Sequence, residues 1–268
     1  GSGANKMFDA ETTGPSNDRV VPRLKQTAHV LLAMYFGFTM TLIALLLLCG
    51  LGLFDAVNMS FTAIATGGFA TRNEGMAAFA NLPAEICLIV FMLIGGGNFG
   101  LYFLAWKKGI RHLLRDTEFR VYLGLFLFLS IFICINLTAH MGGDSNTALR
   151  IATFQVAAVM TTTGLVIDNF DQWPAFSQFC IILVMLTGGC AGSTAGGMKL
   201  ARVIVLCKMV GNIVQARLHP QSVGRISMAR QSQSRTAVFR IARFFFLYIL
   251  ISLLAACVFS FDGLPVID

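Results

Sequence analysis

Residues 146–173 read NTALRIATFQVAAVMTTTGLVIDNFDQW. The apolar run from Ala148 to Met160 suits a short helix. Three threonines and a glycine follow it, and Pro174 opens a new apolar segment. The same order occurs upstream. Residues 54–82 read FDAVNMSFTAIATGGFATRNEGMAAFANL, with a short helix expected over Ala56 to Ala63, then ATGGFAT, then Pro83 and another apolar run. Thr66-Gly67 falls on Thr163-Gly164 at an offset of 97 residues, and MLIGG (92–96) meets MLTGG (185–189) at an offset of 93. Such internal repetition decides a fold before local propensity does. The repeating unit is a membrane helix, a short re-entrant helix, a Thr-Gly turn and a second membrane helix. It occurs at 28–112 and 119–218, and a third copy begins at 236–261.

The surroundings of these turns are built for lipid. The chain has 268 residues, 56% hydrophobic and 12% charged, about half the charge of an ordinary soluble domain, where roughly 25% is usual. Residues 30–53, 86–106, 121–139, 175–198 and 244–261 carry no charge. A helix needs roughly 20 mostly apolar residues to cross a bilayer, and each segment approaches or exceeds that length. The expected fold is therefore all-α, a polytopic membrane protein. The start, GSGANKMFDAETTGP, is polar and lacks the single short apolar core of a signal peptide. It reads as a scar or as the edge of a fragment.

The net charge of +7 is distributed by loop. Eighteen of the 20 basic residues fall in 1–26, 107–120 and 199–243, while 54–82 and 140–173 hold only Arg72 and Arg150. This is the positive-inside bias, and it places the three basic regions in the cytoplasm. Topology accounts for the charge, so a nucleic-acid role is not expected. The basic, polar region 207–235 suits contact with anionic lipid or with a cytoplasmic partner.

Re-entrant helices ending in Thr-Gly turns have a physical use. Non-helical backbone at membrane depth must line water or be buried in protein. A helix C-terminus carries about half a negative charge and favours a cation. Backbone carbonyls can then replace an ion's water shell, and glycine permits the backbone angles that present them. The candidate ligands are the carbonyls of Ala65, Thr66, Gly67 and Gly68, and of Thr162, Thr163, Gly164 and Leu165. An ordinary turn using Thr and Gly for shape is the competing account, weakened by its recurrence in two repeats. A ring of this kind needs about four such turns, by analogy with four-fold filters.

Residues 188–199 read GGCAGSTAGGMK, inside the expected second helix of the second unit. Glycine costs about 1 kcal/mol relative to alanine in a helix, so Gly188, Gly189, Gly192, Gly196 and Gly197 must break it. A flexible loop of Gly188, Gly189, Cys190, Ala191, Gly192, Ser193, Thr194, Ala195, Gly196 and Gly197 beneath the turns would obstruct a pore. Close helix packing through small residues is the alternative. A phosphate-binding loop is not supported, since Met198 separates Gly197 from Lys199. Lys199 reads as a snorkelling residue, and GGGNFG (95–100) as a packing site.

Asp168 and Asp171 follow the second turn. They suit either a cation-concentrating outer mouth or local loop hydrogen bonds. Trp106 and Trp173 read as interfacial anchors. His29, His112, His140 and His219 lack metal-ligand spacing. Seven cysteines without a CxxC pair suggest neither a zinc site nor a disulfide framework. An intramembrane hydrolase with Ser193 or Thr194 as nucleophile would need a base within reach, and only Lys199 is close in sequence. A purely structural subunit is the third class. No organic cofactor is expected.

At SFTAIATGGFAT, FQVAAVMTTTG, DNFDQWP and above all LTGGCAGSTAGGMK, the chain resembles the Trk/Ktr/HKT superfamily of cation transporters, in particular its TrkH-type membrane subunits. The resemblance covers nearly the whole chain. It implies a potassium-channel-like fold of M1-P-M2 units, four in the family. On that basis 1–26 is a cytoplasmic linker, 27–118 repeat two, 119–235 repeat three with its broken second helix and a linker, and 236–268 the start of repeat four. It further implies potassium as substrate, filter and gate at the residues named, a bacterial inner membrane, a homodimer, and a cytoplasmic nucleotide-binding regulatory subunit. A sodium-permeable member of the superfamily is the alternative. The missing repeats would come from the same polypeptide.

Overall fold

A computed structural model describes residues 24–140, 143–218, 227–228, 231–232 and 235–261. Most of the expected cytoplasmic linker, His219, much of the polar 207–235 region and the terminal DGLPVID lie outside the described residues. By contacts the chain divides into two compact units, one to Leu200 and one from Ala201, and each is described on its own.

The first unit opens with α1 (Leu24–Leu48). Its stretch Thr27–Leu48 is 22 residues with a mean hydropathy of 2.3, a length of about 33 Å at 1.5 Å per residue, enough to span a bilayer. Gly50, at φ +90°, ends it and reverses the chain. The short helix α2 (Leu53–Ala65) follows, longer at both ends than the sequence suggests. Polar residues such as Asp55 and Asn58 weaken the apolar pattern there, but Asp55 sits in the first turn, where a negative charge is favourable. A 3-10 turn (Gly75–Phe79) leads to α3 (Leu82–Gly95). Asn81 caps α3 by accepting from the Ala84 amide at 3.1 Å.

The apolar stretch 86–106 is not one straight span. It breaks after Gly95, and α4 (Phe99–Lys108) departs at 93° from α3. The reason is local. Gly96 and Gly97 lie where side chains would collide with the Tyr122 and Tyr102 hydroxyls. Asn98 then caps the new helix, accepting from the Leu101 amide at 3.1 Å. GGGNFG is thus a packing site and a helix break together. The short α5 (Arg111–Arg115) connects to α6 (Thr117–His140).

The second repeat copies the first. The helix α6 spans 24 residues with a mean hydropathy of 2.3. The re-entrant α7 (Ser145–Met160) packs along it, capped by Asp144. After a 3-10 turn (Phe170–Gln172) comes α8 (Ala175–Thr187), which stops at Gly188 as the glycine content requires. Both second helices therefore break at matching glycines, 93 residues apart in the sequence. Each re-entrant helix lies against the two flanking helices of its own repeat, and α3 also packs on α7.

The burial pattern suits lipid. Along α6, Tyr122, Phe126, Leu129, Ile133 and Leu137 face inward, while Leu127, Phe128, Ile131, Phe132 and Ile135 are exposed. A helix apolar on all sides has no solvent face, as membrane spans do. The α3–α7 contact carries an ion pair: Arg150 Nε and Nη2 donate to the Glu85 carboxylate at 2.6 and 2.5 Å. Glu85 is 1% exposed.

The second unit contains nearly all of α9 (Leu200–Leu218), the paired two-residue strands β1 (Ser227–Met228) and β2 (Gln231–Ser232), and α10 (Arg235–Phe261). In α10, Val238–Val258 is long and apolar enough to cross a membrane. The Arg202 guanidinium lies 3.9 Å from the centre of the Phe244 ring, a contact attractive between a cation and a π-face.

Candidate ion pathway

The two turns share one backbone design. At the end of α2, Thr66 adopts the left-handed conformation, with φ 53° and ψ 48°. Its amide and that of Gly67 both reach back to Thr62 O. Gly68 then takes φ +79°. At the end of α7, Thr162 takes φ +55° and Gly164 φ +74°, and the Thr163 amide reaches back to Ala158 O at 2.8 Å. Every matching feature stands 96 residues apart, one fewer than the Thr-Gly dipeptides suggest. Conformation, not the dipeptide, sets the register: the left-handed glycines are Gly68 and Gly164. Ala65-Thr66-Gly67-Gly68 thus corresponds to Thr161-Thr162-Thr163-Gly164. Leu165, named with the second turn, matches Phe69 instead.

The turns touch each other. A Cβ added at Gly68 would lie 2.6 Å from Thr163 O and 3.8 Å from the Gly164 Cα. Threonine hydroxyls hold both in shape. Thr62 Oγ1 donates to Phe69 O at 2.6 Å, and the Thr161 and Thr163 hydroxyls lie 2.7 Å apart. Ala65 O accepts the Thr66 hydroxyl at 2.7 Å. The carbonyls of Thr66, Gly67, Gly68, Thr162, Thr163, Gly164 and Leu165 accept no hydrogen bond from the described residues. Of these residues only Thr163 and Leu165 are buried; open carbonyls next to two helix C-termini make a cation-favouring surface.

The glycine-rich loop is bonded to both turns. The Thr66 hydroxyl donates to Thr194 O at 3.0 Å, and the Gly196 amide donates to Thr162 Oγ1 at 2.6 Å. The Thr194 hydroxyl donates to Ile64 O at 2.8 Å and Gly95 O at 3.0 Å. The break in the first repeat also receives the loop: Cys190 N donates to Gly96 O at 2.8 Å, and Gly192 O accepts from Phe99 N at 3.2 Å. Gly188 and Gly197 pack backbone to backbone, where a Cβ on either would come within 3.0 Å of the other strand. Ser193 donates to Cys190 O at 2.6 Å, so its hydroxyl shapes the loop.

Two charged residues behave differently from the sequence reading. Lys199 does not snorkel. It is 8% exposed, holds φ +71°, and donates from Nζ to Ser193 O and Oγ at 3.4 Å and to Ala195 O. Glu118, not singled out by sequence, is 7% exposed and accepts from the Ala191 amide at 2.6 Å. Its position in the first turn of an apolar helix is the only signal the sequence offers.

Asp168 makes the local bond, accepting from the Trp173 indole at 2.8 Å. Trp173 is accordingly buried, while Trp106 is exposed. Asp171 is exposed, and its carbonyl accepts from Gln178 at 2.7 Å. Between the turns and this segment, the Met76 amide donates to Val166 O at 2.9 Å, so the two repeats also meet beyond the glycines.

Comparisons with known proteins identify the family. A family model described as "TrkH: Cation transport protein" matches residues 1–263. The Trk system potassium uptake protein TrkH of Salmonella typhimurium is 33% identical over 254 residues, covering 94% of this chain and 53% of that protein. The TrkH of Escherichia coli K12 is 31% identical over 254 residues, with the same coverage. The crystal structure of the potassium transporter TrkH from Vibrio parahaemolyticus superposes with a TM-score of 0.85 at 29% identity, over 91% of this chain and 53% of that one. The chain spans about half the length of the curated relatives it matches.

Proposed function

Because this chain belongs to the TrkH family of cation transport proteins, we propose that it forms half of a potassium-conducting membrane subunit. It is an integral membrane protein of a transport family, not an enzyme. The hydrolase reading of Ser193 and Thr194 is therefore set aside. The observation that carries the proposal is the pair of abutting turns with seven carbonyls that the described residues leave open at two helix C-termini.

In this reading a potassium ion sheds water at the turns and is held by the matching carbonyls of Thr66 to Gly68 and of Thr162 to Gly164. The negative helix ends favour it there without a fixed carboxylate, so the ion is bound weakly enough to leave. The 188–197 loop is the gate, since it is bonded beneath both turns. Asp168 and Asp171 lie on the outer side, where their charge raises local cation concentration. Two further turns from the family's remaining repeats complete the ring. A bacterial inner membrane, a homodimer and a cytoplasmic nucleotide-binding partner follow from the family resemblance.

The test is ion flux through the complete polypeptide in liposomes. Gly68→Ala places a methyl 2.6 Å from Thr163 O at a positive φ, so potassium flux and selectivity over sodium should both fall. At Gly67 the same methyl meets only Phe69, at 3.7 Å, so Gly67→Ala should conduct nearly normally. Equal, unaltered selectivity in both variants would end the filter assignment. Sodium flux matching potassium in the unmodified protein would favour a sodium-permeable transporter.

A further inference from the structure

The 188–197 loop has bonds that obstruction alone does not require. On one side the Ala191 amide donates to Glu118 Oε1 at 2.6 Å. On the other, Lys199 Nζ donates to Ser193 O, Ser193 Oγ and Ala195 O. An anion thus grips an N–H of the loop and a cation grips its carbonyls. Both groups are buried, at 7% and 8% exposure, and a buried charge is costly unless hydrogen-bonded. Each charge is therefore stabilised in part by the loop where it stands. Glu118 is further favoured by its place in the first turn of α6. Lys199 makes these bonds at φ +71°, a conformation that non-glycine residues rarely take and that surroundings must enforce. The Leu200 amide closes the segment by donating to Gly189 O at 2.9 Å.

We propose that Glu118 and Lys199 form an opposite-charge clasp that sets the balance between the obstructing and displaced positions of the loop. The proposal rests on the reading of the loop as a gate. Both are positioning residues, since these bonds act on the loop. Hydrogen bonds to charged groups are about twice as strong as neutral ones, so each of these contacts counts for more than a neutral bond along the same segment. Displacement costs both charges these hydrogen bonds.

The experiment uses the complete polypeptide in liposomes and two readouts. One is potassium flux. The other is thiol labelling of Cys190, which is 1% exposed, with the other six cysteines changed to serine. Glu118→Ala should raise both flux and labelling rate about tenfold, the scale of one lost charge-assisted hydrogen bond. Glu118→Gln keeps an acceptor oxygen and should restore most of the protection, and the potassium-to-sodium ratio should not change. Lys199→Met should act in the same direction and serves if Glu118→Ala fails to assemble. Deleting 192–196 tests the gate itself. If the deletion raises flux while Glu118→Ala and Lys199→Met stay at unmodified levels in both readouts, the clasp is wrong and the gate stands. If the deletion leaves flux unchanged, the gate reading falls, and Cys190 labelling still decides whether the clasp holds the loop.

Discussion

Thr66 and Thr162 occupy a conformation that β-branched residues avoid. Their hydroxyls explain why threonine is nevertheless there, since each bonds the glycine-rich loop. Glycine at either position would ease the backbone and lose that bond. The same scale holds the Glu85–Arg150 pair. Glu85 is buried and Arg150 remains 37% exposed at its side chain, so the two changes should not be equivalent. Arg150→Gln leaves a buried carboxylate without its cation and should cost about 3 kcal/mol, the range for breaking a buried pair. Glu85→Gln leaves only a partly solvated guanidinium and should cost less. Thermal unfolding of the purified protein in detergent measures both, and a double change should recover part of the Arg150→Gln loss. Equal effects from the two single changes would place the pair in solvent rather than at a dry contact between α3 and α7.

At the scale of elements, the sequence was most informative where glycine and proline punctuate apolar runs. The re-entrant helices, the turns after them and the stop at Gly188 all follow from such punctuation. Three things were not legible. The one-residue register between the turns depends on which glycine needs a positive φ, and Gly67-Gly68 offers two choices. The 93° bend involves two tyrosine hydroxyls that periodicity does not place, that of nearby Tyr102 beside Gly97 and that of Tyr122, from α6, beside Gly96. The burial of Glu118 and Lys199 depends on loop amides and carbonyls that no periodicity reveals. The bend also makes a prediction. An added methyl at Gly96 would lie 2.5 Å from the Tyr122 hydroxyl and 2.7 Å from Thr161 Cγ2. Gly96→Ala should therefore reduce flux by disturbing both the bend and the second turn. Asn98→Ala should remove only a cap, costing about 1 kcal/mol. Comparing flux with melting temperature separates them, because the first should lose flux out of proportion to stability.

At the scale of the molecule, charge fixes orientation. Segments 107–120 and 199–243 are basic, and the turns lie in the alternate segments. Cysteine placed at Lys108 should be shielded from a membrane-impermeant thiol reagent applied outside whole cells, and cysteine at Arg72 should react. The reverse pattern would invert the direction of the pathway. The repeat also explains why one glycine segment is a short bend and its counterpart a long loop. At GGGN the chain restarts a helix after three residues, while GGCAGSTAGGMK must travel far enough to reach both turns.

That reach has a thermodynamic consequence. The loop and the turns share two hydrogen bonds, through Thr66 and Thr162. Displacing the loop removes a partner from each threonine and frees the turns to relax. On the proposed reading of turns as filter and loop as gate, ion affinity at the turns and the free energy of loop displacement are then linked quantities. By reciprocity, whatever factor the open loop applies to potassium affinity, potassium applies to the open fraction. Occupancy by the transported ion becomes one of the ligands that set the position of its own barrier.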